Sequence, residues 1–185
     1  MNVLVQHRPD VEPADFRHII QSMMVLAASE YDLNTDFQIL FNLTGRFVNG
    51  GSFADCDVTG RKLACDTYGG VGHIGGGAMS GKDPSKVDRS GAYMARKIAV
   101  DIGRTGYADK CEVQIAYAIG VPEPVSIYVE TFDTEHQDKW FIKAYVREHY
   151  NLTLKGIIEG LNLLDVDYNA VSAYGHFGKA WLPWE

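Results

Sequence analysis

The residues best suited to chemistry in this sequence form a glycine-rich loop, residues 75–82, which ends in the string Ser-Gly-Lys. Small side chains let backbone N–H groups approach an anion closely, and Lys82 adds a positive charge at the end of the loop. The spacing from Gly76 to Lys82 nearly matches a Walker A loop, but position 83 is Asp, where that motif needs Ser or Thr to bind Mg²⁺. The sequence therefore disfavours a P-loop NTPase and indicates a polyphosphate site of another kind.

Basic residues are concentrated around this loop, although the chain as a whole has a formal net charge of -7. Residues 60–89 contain five basic and three acidic residues, a local excess of +2. The basic ones are Arg61, Lys62, Lys82, Lys86 and Arg89. Two of these lysines flank a predicted helix start, where cations are unfavourable unless an anion lies nearby. The alternative is a solvated basic surface, but glycine density, helix start and lysines together favour a polyphosphate site.

Two aspartates are the acidic candidates. Asp55 could hold a substrate ammonium or a ribose hydroxyl, and Asp88 could coordinate Mg²⁺ or orient a neighbouring lysine. The alternative for each is a purely structural role, in a turn or in the first turn of a helix. The histidines lack metal-ligand spacing, and neither a Ser-His-Asp nor an HExxH pattern is present, so nucleophilic or zinc hydrolysis is not indicated.

The elements that must position these residues alternate between strands and helices. The hydrophobic pattern predicts strands over residues 2–6, 37–41, 62–65, 112–119 and 126–132. It predicts helices over residues 14–29, 83–103, 138–150 and 153–161, with Asp83 as the N-cap of the second and Pro84 at its first position. The tail is aromatic and rich in turns. This order predicts an α+β fold with helices on one face of a mixed or antiparallel sheet.

Composition limits the possible partners. A chain of 185 residues with 46% apolar residues can form one ordinary domain or two small ones. The negative charge argues against nucleic-acid and anionic-membrane partners, because both need a basic surface. Three scattered cysteines fit a reducing compartment, and no apolar run approaches the roughly 20 residues of a membrane span. We therefore expect a cytoplasmic protein with neither kind of partner.

Seven short strings, in register along almost the whole chain, resemble S-adenosylmethionine synthetase (methionine adenosyltransferase), specifically its C-terminal portion. These strings are TGRF at 44–47, TGRK at 59–62, DTYGG at 66–70, GGGA at 75–78, SGKDPSKVDRS at 80–90, YAIGV at 117–121 and AYGHFG at 173–178. The resemblance implies a three-domain fold of interleaved units of β-α-β-β-α-β type. Residues 1–50 and 51–90 would belong to two partial domains, and residues 91–185 to a nearly complete C-terminal one.

The resemblance also implies roles for individual residues. Catalytic contacts to the polyphosphate would come from Arg61, Lys62, Lys82 and Lys86. ATP would contact Arg46, Phe47, Asp55, Arg61, Lys62, Ala78 and Lys82. Methionine would contact Asp55, Lys86 and Ile119, and Asp88 would lie at a metal. The implied cofactors are Mg²⁺ and K⁺, whose other ligands belong to an N-terminal half with a Gly-His-Pro-Asp-Lys stretch that this sequence lacks.

The function implied is the formation of S-adenosylmethionine from ATP and L-methionine, with release of phosphate and pyrophosphate. We expect the active site to be incomplete in this chain alone. A homo-oligomer (dimer or tetramer) or a companion chain that supplies the N-terminal half would complete it. The alternatives are a non-catalytic nucleotide-binding or regulatory subunit, or an inactive fragment of a synthetase.

Overall fold

A computed structural model describes residues 2–43, 45–54 and 60–185, and the chain divides between residues 57 and 58 into two compact units. The first unit contains β1 (Asn2–Val3), α1 (Pro13–Glu30), β2 (Leu40–Phe41) and a 3-10 turn at Gly51–Phe53. The second contains α2 (Leu63–Asp66), α3 (Val87–Arg104), β3 (Glu112–Ala116), β4 (Ser126–Glu130), α4 (Lys139–His149), α5 (Leu154–Gly160) and α6 (Tyr168–Ser172). The predicted α+β class is confirmed. The domain boundaries near residues 50 and 90 stay predictions.

The first unit is the β-α-β arrangement that the sequence predicts. β1 and β2 pair in parallel, with Val3 opposite Phe41, and α1 connects them. The buried side chain of Asn42 extends this pairing, because its amide both accepts from Val5 N–H at 2.8 Å and donates to Val5 C=O at 3.0 Å. The apolar side chains of α1 are mostly exposed, with Met23 at 60% and Leu26 at 71%.

Helix α3 is the centre of the second unit. Its apolar residues recur at helical spacing, and Tyr93, Ile98 and Ile102 are completely buried. α3 packs against β3 on one side and α5 on another, and side chains from α4 complete the same core. None of the helices in the described ranges is long and apolar enough to cross a membrane.

The strands of the second unit form a hairpin. β3 and β4 pair antiparallel over their full length, from Glu112 opposite Glu130 to Ala116 opposite Ser126. The prolines between the strands place the connection in a loop, as the sequence indicates. A connection that contains prolines fits a hairpin and a crossover equally well, and the antiparallel pairing shows that it is a hairpin.

Two helices begin where their capping residues predict. The carboxylate of Asp138 accepts from the N–H groups of Trp140 and Phe141, and Thr153 Oγ1 accepts from Gly156 N–H at 3.0 Å. Each side chain satisfies donors that the first turn of a helix leaves unpaired. Helices α4 and α5 are therefore confirmed to within one residue at either end.

The tail, residues 173–185, is ordered by a few specific contacts. Trp184 is completely buried and stacks on Tyr93 with ring centroids 3.7 Å apart, and its Nε1–H donates to His176 C=O at 2.9 Å. The Lys179 ammonium lies within hydrogen-bond distance of four backbone carbonyls, which share its three protons: those of Ala170, Val171, Ala173 and Gly175. The tail is therefore part of the core of this unit.

Several predicted elements differ from the observed ones. The four predicted strands that form are shorter than predicted: β1 ends at Val3, β2 begins at Leu40, β3 ends at Ala116 and β4 ends at Glu130. Helix α6 is not among the predicted elements. The expected strand at 62–65 is instead helix α2, closed by Thr67 Oγ1, which donates to Leu63 C=O at 2.6 Å. Helix α3 begins three residues later than predicted, after Lys86 and not after Asp83. Asp83 Oδ1 accepts from Ser85 N–H at 2.8 Å, a local turn that competes with helix initiation.

Candidate anion-binding loop at the start of helix α3

The glycine-rich loop folds back onto the first turn of α3. One oxygen of Asp88 accepts from Gly77 N–H at 2.8 Å, and the other accepts from Lys82 Nζ at 2.7 Å. Both hydrogen bonds lower the pKa of the Asp88 carboxyl, that from Lys82 more than that from Gly77. A loop amide and a lysine ammonium thus converge on one anionic group.

Glycine is required at two positions for this approach. Gly76 has φ of +74°, and a Cβ there would lie 3.1 Å from Asp88 Oδ1. A Cβ on Gly77 would lie 2.9 Å from Lys82 Nζ. A side chain at either position would therefore push the loop away from the carboxylate or displace the lysine.

The second half of the loop is held by Arg89. Its Nε–H donates to Met79 C=O at 2.8 Å, and its guanidinium carbon lies 4.2 Å from the ring centroid of Tyr168. Arg89 is only 3% exposed. The sequence alone groups Arg89 with the cations available to a polyphosphate. That interpretation is wrong, because the side chain is buried and its hydrogen bond to Met79 C=O holds the loop in place.

A buried histidine also reaches the loop. His176 is fully buried, with Nε2 3.1 Å from Ser80 Oγ and Nδ1 2.7 Å from Tyr93 Oη. Its backbone N–H donates to Asp66 C=O at 2.8 Å. Burial lowers the pKa of His176; the nearby cations Arg89 and Lys179 lower it further, whereas Asp66 raises it.

The lowered pKa of His176 predicts that the second unit loses stability as the pH falls from 7 to 5. The unfolded chain, with an ordinary His pKa of 6.5, binds a proton there more readily than the folded chain does. This histidine alone contributes a slope of at most about 1.4 kcal/mol per pH unit. Urea unfolding of the wild type and of His176→Gln, followed by tryptophan fluorescence at several pH values, measures the difference. A variant with an unchanged pH dependence would contradict the prediction.

The residues just before the loop are tied to β3. His73 donates its backbone N–H to Glu112 Oε2 at 3.1 Å, and its Nδ1 lies 2.7 Å from Glu112 Oε1. These contacts lower the pKa of Glu112, the backbone N–H most strongly. The loop therefore has anchors on β3, on α3 and on the tail.

Beside the loop lies an open cleft of about 800 Å³, within the size range of small-molecule sites. It is lined by the loop glycines 75–77, by Asp88 and other residues of α3, by Tyr68 and Phe177, and by residues 112–117. All five residues of β3 line it, so the cleft follows the edge of that strand. An open strand edge bonds to another strand as readily as to a ligand. The hydrogen bonds of the loop therefore indicate a site more strongly than the cleft volume does.

The other predicted site residues lie in different places. Ala78 is in the loop, Lys86 is the exposed N-cap of α3, and Arg61 and Lys62 are exposed between Gly60 and α2. Ile119 is fully exposed in the β3–β4 connection and does not line the cleft. The structure brings together Lys82 and Asp88 from the predicted set, and their roles toward a ligand stay predictions.

Three of the predicted ATP contacts belong to the first unit. The Arg46 guanidinium bonds to the Glu12 carboxylate and to Pro9 C=O, and Phe47 N–H donates to His7 Nε2 at 3.3 Å. Asp55, the third residue predicted there, lies outside the described residues.

The described residues would bind Mg²⁺ only together with oxygen atoms from a bound ligand. Within residues 2–43, 45–54 and 60–185, no three His, Cys, Asp or Glu side chains are grouped as a metal site requires. Both oxygens of Asp88 already accept hydrogen bonds. Mg²⁺ is often bound through one carboxylate together with phosphate oxygens and water, so Asp88 fits as a single ligand of such an ion. The described residues therefore offer Mg²⁺ no site made of grouped side-chain ligands, and the K⁺ site stays a prediction.

Comparison with known proteins gives one consistent result. The family described as S-adenosylmethionine synthetase, C-terminal domain, matches residues 49–185. An S-adenosylmethionine synthase from Mycoplasma mycoides is 47% identical over 98% of this chain and 47% of its own length. The corresponding synthase from Mesoplasma florum is 48% identical over 98% of this chain and 48% of its own.

The fold agrees with these sequence matches. A solved S-adenosylmethionine synthetase from Campylobacter jejuni superposes on 99% of this chain and 50% of its own, with a TM-score of 0.83 and 34% identity. The chain thus spans about half the length of the curated relatives that it matches.

Proposed function

Because this chain belongs to the S-adenosylmethionine synthetase family, we propose that it supplies the polyphosphate-binding part of a methionine adenosyltransferase. The proposed substrates are ATP and L-methionine, and the proposed products are S-adenosylmethionine, phosphate and pyrophosphate. The glycine-rich loop and the start of α3 would bind the phosphate chain.

The observation that carries this proposal is the convergence of Gly77 N–H and Lys82 Nζ on one carboxylate. A carboxylate and a phosphate oxygen accept the same kinds of hydrogen bond, so donors that hold Asp88 are suited to holding a phosphate. The loop lies beside the first turn of α3, where the helix dipole also favours negative charge. When a phosphate is bound, Lys82 would exchange Asp88 for the ligand.

The proposed chemistry needs little from acid or base groups. The sulfur of methionine is a neutral nucleophile that attacks the 5′ carbon of ATP, so no proton has to be removed from it. The bond that breaks joins this carbon to the triphosphate, which leaves with several negative charges. Water then hydrolyses one P–O–P bond of the triphosphate, which gives pyrophosphate and phosphate. Catalysis then depends on aligning the two substrates and on stabilising the leaving group.

The residues of this chain would divide that work. Lys82 and the loop amides would contact the phosphates, and the exposed residues Arg61, Lys62 and Lys86 would add positive charge around the departing triphosphate. Mg²⁺, when bound with the nucleotide, would neutralise phosphate charge, with Asp88 at the start of α3 as a carboxylate ligand beside the loop.

The test is an assay of turnover with purified components. The chain is mixed with ATP, methionine, Mg²⁺ and K⁺, alone or with a second polypeptide that matches the other half of the relatives. S-adenosylmethionine formed in either mixture, and lost when the chain carries Lys82→Ala, would support the proposal. The proposed partner is that second polypeptide or another copy of this chain.

Two other outcomes have a defined meaning. Binding of tripolyphosphate without product in either mixture would favour a non-catalytic nucleotide-binding or regulatory subunit. If the chain does not bind tripolyphosphate and no product forms, the proposal is contradicted, and the protein has no independent activity.

A further inference from the structure

The tail and the glycine-rich loop meet at a single polar contact. Ser80 Oγ lies 3.1 Å from Nε2 of the buried His176, although 96 positions separate the two residues in sequence. Ser80 is also confined from the other side, because a Cβ on Gly60 would lie only 2.7 Å from Ser80 Cβ. Ser80 is therefore held between the chain at Gly60 and the tail.

His176 is itself fixed on every side. Tyr93 Oη holds Nδ1 at 2.7 Å, the backbone N–H is bonded to Asp66, and the carbonyl accepts from Trp184. A neutral imidazole has one donor and one acceptor nitrogen, and here each nitrogen has one hydroxyl partner. The ring is rigid enough to fix Ser80, which precedes Lys82 by two residues.

We propose that His176 is a positioning residue that acts through Ser80 to hold the glycine-rich loop in the shape that directs Lys82 and Gly77 N–H toward one anion. The inference rests on the proposed function, in which that anion is a phosphate chain. His176 itself is fully buried and is not among the residues that line the cleft.

The two ring nitrogens can be tested separately. The side-chain amide of Asn reaches about as far as Nδ1, and that of Gln about as far as Nε2. His176→Asn should therefore keep the contact with Tyr93 and lose that with Ser80, whereas His176→Gln should keep the contact with Ser80. Ser80→Ala removes the same hydrogen bond from the loop side.

The measurement is the affinity for inorganic tripolyphosphate by titration calorimetry. Losing one neutral hydrogen bond should weaken binding by about 2- to 12-fold in His176→Asn and Ser80→Ala, and by less than about 2-fold in His176→Gln. The double variant with His176→Asn and Ser80→Ala should bind no more weakly than either single variant, because both substitutions remove the same hydrogen bond. The control is Ser172→Ala, a serine near the tail whose hydroxyl bonds to Asn169 C=O.

If His176 contributed to stability alone, the affinity for tripolyphosphate would not be lower in His176→Asn than in His176→Gln. Equal losses of affinity in the two His176 variants, or wild-type affinity in Ser80→Ala, would overturn the inference. Ser80→Ala decides the matter if the His176 variants fail to fold, since it removes only one half-buried hydroxyl oxygen.

A separate measurement keeps this inference distinct from the proposed function. If neither tripolyphosphate binding nor product is seen, the proposed function fails, and loop order is read in the free chain. Lys82 N–H donates to Met79 C=O at 3.2 Å, so its hydrogen exchange reports the shape of the loop. Faster exchange in Ser80→Ala and His176→Asn than in His176→Gln would support positioning, and equal rates in all three would overturn it.

Discussion

Replacing Trp184 with alanine is expected to lower the free energy of unfolding of the second unit by about 3–5 kcal/mol, the range for emptying a large aromatic site. Trp184 is completely buried, stacks on Tyr93 at 3.7 Å and donates Nε1–H to His176. The substitution removes all three contributions and leaves a buried carbonyl without its donor. The loss should appear as a lower urea midpoint.

Tryptophan fluorescence is the suitable signal for this experiment. All three tryptophans, at positions 140, 181 and 184, belong to the second unit, so the signal reports the unfolding of that unit alone. The matched control is Trp181→Ala, three residues away and 58% exposed, which should change stability by less than about 0.5 kcal/mol. Similar losses in both variants would show that the tail does not pack as described.

Lys82→Ala is expected to weaken tripolyphosphate binding by about 1.5–3 kcal/mol, or about 10- to 150-fold, the scale for losing a hydrogen bond to a charged group. The lysine is two-thirds buried beside the loop and is held by Asp88, so it needs little reorientation to reach a phosphate. Titration calorimetry at constant ionic strength measures the effect, because screening by salt weakens such contacts.

The control for Lys82→Ala removes the same charge elsewhere. Lys155 lies on α5, is 83% exposed and pairs with Glu159 at 3.7 Å. Lys155→Ala should leave affinity unchanged within about 2-fold, because an exposed charge at a distance is screened. An equal loss in both variants would mean that net charge alone governs binding, and unchanged affinity in Lys82→Ala would place Lys82 outside the site.

Local signals were sufficient for much of the fold. Asp138 and Thr153 are strong capping residues followed by helical periodicity, and both helices begin there. The loop could be identified because its glycines and Lys82 are neighbours in sequence. The strand predicted at 62–65 failed because a four-residue segment carries too little periodicity to distinguish strand from helix.

Contacts between distant residues could not be predicted in this way. The sequence groups Arg89 with the cations around the loop because its charge is visible there, whereas its burial depends on contacts with Met79 and Tyr168 in the folded chain. The contact between Ser80 and His176 joins residues with no common pattern. The tail gave only an aromatic composition, which indicates burial but not the partner of each ring.

The hydrogen bonds of Lys179 depend on the shape of its charged group as well as on its charge. An ammonium carries three protons around one nitrogen and can therefore serve carbonyls that surround it, with the 3.3 Å contact to Ala170 as the weakest. A guanidinium has more donors, but they lie in one plane and point outward from a wider group. Arginine would keep the charge at position 179 and still leave some of the carbonyls unsatisfied. The site thus distinguishes two equally charged side chains by shape.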